Sequence, residues 1–229
     1  MLNEHQFSPE QREGVYRAIM ERRDIRAQFI PDEVPDELLA KVLRAAHHAP
    51  SVGFMQPWNF LVIRDYQTRA RVKEAFARAN EESAAMFDGE RRKAYRRFKL
   101  EGILEAPVNI LVTCDRNRTG PVVIGRTVQP DMDVYSAVCA VQNLWLAARA
   151  EGLGVGWVSI VHEQDLRRIF ELPEQVVVIA YLCLGFVSHF PREPELEKAG
   201  WLPRLDLEKL VFYERWGESR PTGCRSTEP

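Results

Sequence analysis

Asp131–Val161 reads DMDVYSAVCAVQNLWLAARAEGLGVGWVSIV, and two structural periods meet within it. Val134, Val138, Val141, Leu144, Trp145 and Ala148 recur at spacings of three and four, which predicts a helix over Asp131–Glu151. The helix is apolar almost all round, so it is expected at the centre of the core. Gly152, Gly154 and Gly156 then predict a glycine-spaced turn running into a strand before Val161.

Three further runs are rich in β-formers: Trp58–Arg64 (WNFLVIR), Val108–Cys114 (VNILVTC) and Gln175–Val187. The last is almost continuously apolar and reads as a buried strand. Helices are expected on either side. Ser8-Pro9-Glu10-Gln11 supplies an N-cap, a proline at N1 and a capping-box glutamine, and this helix should end near Arg23–Arg26. Asp36 is the expected cap of a second helix that must stop before Pro50. Residues 66–105 are helical in propensity, with Gly89 as a break. Residues 115–130 carry Gly120, Pro121, Gly125 and Pro130, and are expected to form a long loop serving as a lid or site wall. Long helices with about four strands imply an α+β fold, a small sheet packed by helices. There is no internal repeat or linker, so residues 1–217 are read as one domain and 218–229 as a disordered tail.

Composition narrows the function. The chain has 229 residues and a net charge of −2, with 31 basic and 33 acidic side chains. That balance lacks the basic excess of a nucleic-acid binder. No apolar run approaches the ~20 residues of a membrane span. The start lacks the basic and apolar regions of a signal peptide, so a cytoplasmic location is expected. Cys114, Cys139, Cys183 and Cys224 show no metal or dithiol spacing, and the scattered histidines none either, so no metal is expected.

Three segments could carry chemistry. Arg22-Arg23-Asp24-Ile25-Arg26 places three guanidiniums within five residues, which taken alone reads first as charge complementing a helix C-terminus and second as an anion site. Ala49–Trp58 (APSVGFMQPW) combines Ser51 and Gln56 with apolar Phe54, Met55 and Trp58, a mixture suited to a planar heteroaromatic ligand or to a stapled surface turn. Gly152–Ile160 (GLGVGWVSI) lets backbone N–H groups approach a ligand, or is a helix C-cap followed by a strand entry. It is not a GxGxxG fingerprint.

Together, and in this order, these segments resemble the nitroreductase superfamily over roughly residues 8–216. The resemblance implies a nitroreductase-like fold with a small, mostly antiparallel sheet. It also implies a homodimer with FMN at the interface and a C-terminal arm, here Trp201–Trp216, that reaches over the partner. Arg22, Arg23, Asp24, Ile25 and Arg26 would then meet the FMN phosphate and ring edge. Ser51, Met55 and Gln56 would come from the second segment. Gly156, Trp157, Val158 and Ser159 would lie against the isoalloxazine, and Arg204 would add to the phosphate site.

Within the superfamily, RRDIR, APSVGFMQPWNF, AVQNLWLAARAEGLGVGWVSI and LCLGFV are similar to the 5,6-dimethylbenzimidazole synthase branch. Asp24 stands where a serine usually follows the arginine pair, and Phe54 where an asparagine is usual. This branch implies that reduced FMN is the substrate. Molecular oxygen adds to it, and the ring is fragmented to 5,6-dimethylbenzimidazole, the lower ligand of vitamin B12, and erythrose 4-phosphate. Asp24 would shuttle a proton and Ser159 hold the reacting edge of the ring, with a flavin reductase as a possible source of reduced FMN. The alternatives are an NAD(P)H-dependent nitroreductase or flavin reductase, and a non-catalytic flavin-binding protein.

Overall fold

The computed structural model describes residues 5–218, and residues 219–229 of the expected tail lie outside them. The chain divides into two compact units, one ending at Arg192 and the other beginning at Glu193. The first contains α1 (Pro9–Glu21), α2 (Asp36–His47), β1 (Trp58–Ile63), α3 (Tyr66–Ala85), α4 (Gly89–Tyr95), β2 (Val108–Asp115), α5 (Met132–Ala150), β3 (Leu153–Val158), α6 (Glu163–Phe170) and β4 (Val176–Phe186). The second contains α7 (Glu195–Lys198) and a 3-10 turn at Leu207–Leu210.

The strands form one antiparallel sheet in the order β1-β2-β4-β3. Both faces are covered, which explains why β2 and β4 read as continuous apolar runs. On one face Ile110, Val112, Leu182 and Leu184 pack with Val42 of α2 and with Val141 and Leu144 of α5. On the other, Leu111, Tyr181 and Cys183 pack with Val72 and Phe76 of α3 and Leu166 of α6. Successive residues serve opposite layers because side chains alternate along a strand.

Several local expectations change. Helix α1 has the expected Ser8 capping box and proline but ends at Glu21, before the arginine run. Asp36 is the first residue of α2 rather than its cap, and Pro35 occupies the cap without a side-chain bond. The second helix expected within residues 66–105 stops at Tyr95. Helix α5 is central but not buried on all sides: Tyr135 and Val138 are exposed, whereas Asp133 is fully buried. Cys114 and Cys183 are buried as expected of small apolar side chains, while Cys139 is exposed.

Candidate functional site

The arginine run begins where α1 ends. Arg23 donates to the carbonyls of Met20 and Arg22 at 2.8 and 2.7 Å, satisfying groups left open at the helix terminus, and also to that of Arg192. Beyond it the chain extends alongside β3. The Ile25 N–H donates to the Val155 carbonyl at 2.9 Å, and Asp24 bridges Val155 in the parallel sense.

The glycines make this approach possible. A Cβ on Gly156 would stand 2.1 Å from the Ile25 carbonyl oxygen, and one on Gly154 would stand 2.5 Å from the Val187 side chain. Both glycines therefore lie inside β3 rather than in the expected turn, and their role is close backbone approach. The turn itself is limited to Gly152, whose φ of +79° ends α5.

Asp24 is held at this seam. Its Oδ1 accepts from the Trp157 N–H at 2.9 Å and its Oδ2 from Arg26 at 2.7 Å. Arg26 also donates to the Lys99 carbonyl at 3.2 Å. Trp157 and Ser159 fall on the same side of the chain path, two residues apart. Ser159 lies just past the end of β3, exposed, with no hydrogen-bond partner for its hydroxyl among the described residues.

Arg22 differs from its neighbours. Its guanidinium lies over the Trp145 ring, 5.4 Å from the centroid. The buried Nε atoms of Arg22 and Arg23 both lack a hydrogen-bond partner among the described residues, but Arg23 donates through its terminal nitrogens and Arg22 does not. A buried cationic donor without an acceptor is costly, and an anionic ligand would supply the acceptor. Trp145 donates to the Arg23 carbonyl at 3.2 Å and approaches Trp157 with ring centroids 6.4 Å apart. The seam thus combines one uncommitted cation, aromatic faces, a fixed carboxylate and a free hydroxyl.

The APS loop is built elsewhere. The Ser51 hydroxyl accepts from the Gln56 N–H at 3.1 Å, and the Val52 N–H donates to Ser136 of α5 at 3.2 Å. Phe54 and Gln56 take positive φ values of +52° and +44°, a left-handed conformation costing roughly 1–2 kcal/mol per residue. Phe54 is 82% exposed, Met55 is buried. Arg118 fixes the exit of the loop by donating to the carbonyls of Gln56 and Trp58, both at 2.9 Å. A cavity of about 680 Å³ opens here, lined by Leu43, Arg44, His47, Met55 and Trp58 among others.

One chain does not unite the two halves. The APS loop leads into β1 and the arginine turn lies on β3, at opposite edges of the sheet, which are three strand spacings or about 14 Å apart. Their contacts with α5, at Ser136 and Trp145, are nine residues or roughly 13 Å apart along the helix. Arg204 belongs to the second unit, where its N–H donates to Glu197 at 3.0 Å.

Two structural anchors had no short-range sequence signal. Buried Asp133 accepts from Arg116 at 3.0 Å and from Arg126 at 3.3 Å, so both ends of the 115–130 loop are tied to the start of α5. Buried Glu101 accepts from Lys73, Lys99 and the Ile103 N–H, and fixes the segment that receives Arg26. Among the described residues no cluster of three His, Cys, Asp or Glu side chains could hold a metal, and no helix is long and apolar enough to cross a membrane.

The model of the nitroreductase family matches residues 19–186. The chain belongs to the nitroreductase family. Among nitroreductase-family relatives, the 5,6-dimethylbenzimidazole synthase of Rhodospirillum rubrum is 41% identical over 86% of this chain and 93% of its own. A Thermus thermophilus relative named NADH dehydrogenase is 43% identical over 86% of this chain and 94% of its own. Among solved structures, oxidised iodotyrosine deiodinase bound to FMN and 3-iodo-L-tyrosine superimposes with a TM-score of 0.66 at 22% identity, over 79% of this chain and 94% of that one. The last likeness establishes the nitroreductase-like fold.

Proposed function

We propose that this nitroreductase-family chain is a 5,6-dimethylbenzimidazole synthase, an oxidoreductase that takes reduced FMN as substrate and fragments it with molecular oxygen to 5,6-dimethylbenzimidazole and erythrose 4-phosphate. The observation that carries the reading is the similarity to the Rhodospirillum rubrum synthase along nearly the whole of both chains. The carboxylate at the seam supports it, because Asp24 puts a proton acceptor among the arginines.

The residues fit a flavin phosphate and ring. Arg22 supplies a half-buried cation that makes no hydrogen bond among the described residues. Arg23 and Arg26 shape the turn and add positive charge, and Arg204 is proposed to extend the phosphate site. The Gly156–Ser159 stretch at the end of β3, with the half-buried Trp157 and the exposed Ser159, is proposed as the wall for the ring. Reduced FMN supplies the electrons for the reaction with oxygen. The chain supplies position, a proton acceptor at the Asp24 carboxylate and a hydroxyl donor or acceptor at Ser159.

The working form proposed is a homodimer, in which Ser51, Met55 and Gln56 of one chain complete the flavin site of the other. The placement of the two halves at opposite edges of the sheet within one chain supports it. So do the exposed Val15, Tyr16 and Met20 of α1 and Tyr135 of α5, and Leu202, Leu205 and Trp216 in the proposed arm. A separate flavin reductase is the proposed source of reduced FMN, and the cytoplasm the proposed location.

The Thermus relative favours a second reading, NADH oxidation with a permanently bound flavin. Product analysis decides between them. Aerobic incubation with reduced FMN should yield the benzimidazole and consume flavin. Steady NADH oxidation with an electron acceptor, and full recovery of FMN, would establish the second reading instead.

A further inference from the structure

We propose that the basic face of α4 and the turn after it forms an electrostatic entry path, which captures the phosphate of arriving reduced FMN and delivers it to the Arg22–Arg26 turn. This rests on the reading of FMN as substrate. A resident cofactor is bound once, whereas a substrate must be caught anew in every turnover.

The charge distribution is lopsided. Gly89–Lys99 holds six cations, Arg91, Arg92, Lys93, Arg96, Arg97 and Lys99, against the single acid Glu90. This is a net +5 in eleven residues, whereas the other 218 residues carry −7. Packing turns the cations outward. Tyr95 is buried, donates to Asn80 of α3 at 2.8 Å and stacks on Phe87, so α4 is pinned by its aromatic side. Arg91, Lys93, Arg96 and Arg97 are left exposed.

Counting the paired Glu81, Glu101 and Glu105 as well, the surplus of this face falls from +5 to +2. Lys93 pairs with Glu90, Arg96 with Glu81, and Lys99 with Glu101 and Glu105. Arg97 has no partner among the described residues. The path also ends at the site. Arg97 lies two residues, at most about 7 Å, from Lys99, whose carbonyl receives Arg26. A cationic surplus raises the association rate of a counter-charged ligand, by about ten-fold at the lower end of the usual range.

The test is anaerobic stopped-flow binding of reduced FMN to the full-length protein and to the Arg91→Glu/Arg97→Glu variant, across ionic strength. Reduced riboflavin, which lacks the phosphate, is measured in parallel. The expected result is an association rate for FMN roughly ten-fold lower in the variant at low salt. The difference should close at high salt, with an unchanged dissociation rate and no difference for riboflavin. Equal FMN association rates at low salt, or an equal loss for riboflavin, would overturn the proposal. The milder Arg97→Gln variant should show a smaller loss of the same kind, and its absence counts equally against the idea. Binding needs no turnover, so wild-type protein that binds reduced FMN but makes no benzimidazole would remove the synthase reading alone.

Discussion

Gly156 lies beneath the carbonyl of Ile25, so close that a Cβ would stand 2.1 Å from that oxygen. The glycine of one motif is therefore the seat of the other. Gly156→Ala should push the arginine turn off β3, break the Asp24–Trp157 bond, and cost about 1–3 kcal/mol of stability as overpacked sites do. Flavin affinity should fall with it. Gly14→Ala is the control: no atom lies within 4 Å of its Cβ position, and it sits inside α1. That change should stabilise by roughly 0.5–1 kcal/mol. Thermal melts of the two variants moving in the same direction would contradict the packing account.

Arg22 and Arg23 are adjacent but should behave oppositely. Arg22 donates no hydrogen bond within the described fold, whereas Arg23 satisfies three backbone carbonyls. Arg22→Ala should leave the melting temperature near that of wild type and weaken FMN binding roughly ten-fold or more. Arg23→Ala should lower stability by about 1–3 kcal/mol through its unpaired carbonyls. Titration calorimetry with melts on both variants checks the division of roles.

Glu101 predicts an acid limit. Burial alone would raise its carboxyl, but the hydrogen bonds from Lys73 and Lys99 outweigh burial and hold it below the usual 4.5. A depressed folded-state value stabilises the fold above the unfolded value and loses that contribution as pH falls through the folded one. Wild-type stability should therefore fall below pH 4.5, and Glu101→Gln, less stable at pH 7, should converge towards it there. Denaturant midpoints between pH 3 and 7 measure this, and parallel curves for the two proteins would contradict it.

Subunit mixing tests the shared site. If one flavin takes Arg22 from one chain and Gln56 from the other, Arg22→Ala and Gln56→Ala homodimers are each defective at both sites. Random exchange makes half the dimers mixed, each with one intact site, so about a quarter of wild-type binding should return. No recovery after verified exchange would place both residues in the same subunit's site, or outside any.

Much of this was legible in the sequence because it is local. The Ser8-Pro9-Gln11 cap, the three-and-four spacing of α5 and the β-rich runs of β1, β2 and β4 are near-neighbour chemistry, and all appear in the fold. The three motifs could be singled out, but not their juxtaposition. Gly154 and Gly156 read as a turn because glycine usually marks one, whereas the reason for them, the Ile25 backbone, comes from a segment about 130 residues earlier. Asp133 and Glu101 were invisible for the same reason, since an acidic residue is recognisable as a buried anchor only once its distant arginines and lysines are in place. The end of α4 at Tyr95 shows the converse, where helical propensity continues but Glu101 and Ile103 are buried in a non-helical segment.

The most direct measurement is the yield of 5,6-dimethylbenzimidazole per bound reduced FMN, in wild type and Asp24→Asn, in one aerobic turnover. In the structure Asp24 accepts from both Trp157 and Arg26, and an asparagine can face only one of them with its oxygen, so some loss of flavin affinity is expected. Normalising to bound flavin removes that effect. The account predicts benzimidazole from wild type. From the variant it predicts a rate per bound flavin lower by about 10²–10⁴-fold, with oxidised FMN recovered instead. Benzimidazole at near wild-type yield per bound flavin in Asp24→Asn would reduce Asp24 to a structural clamp, and its absence from wild type would contradict the function itself.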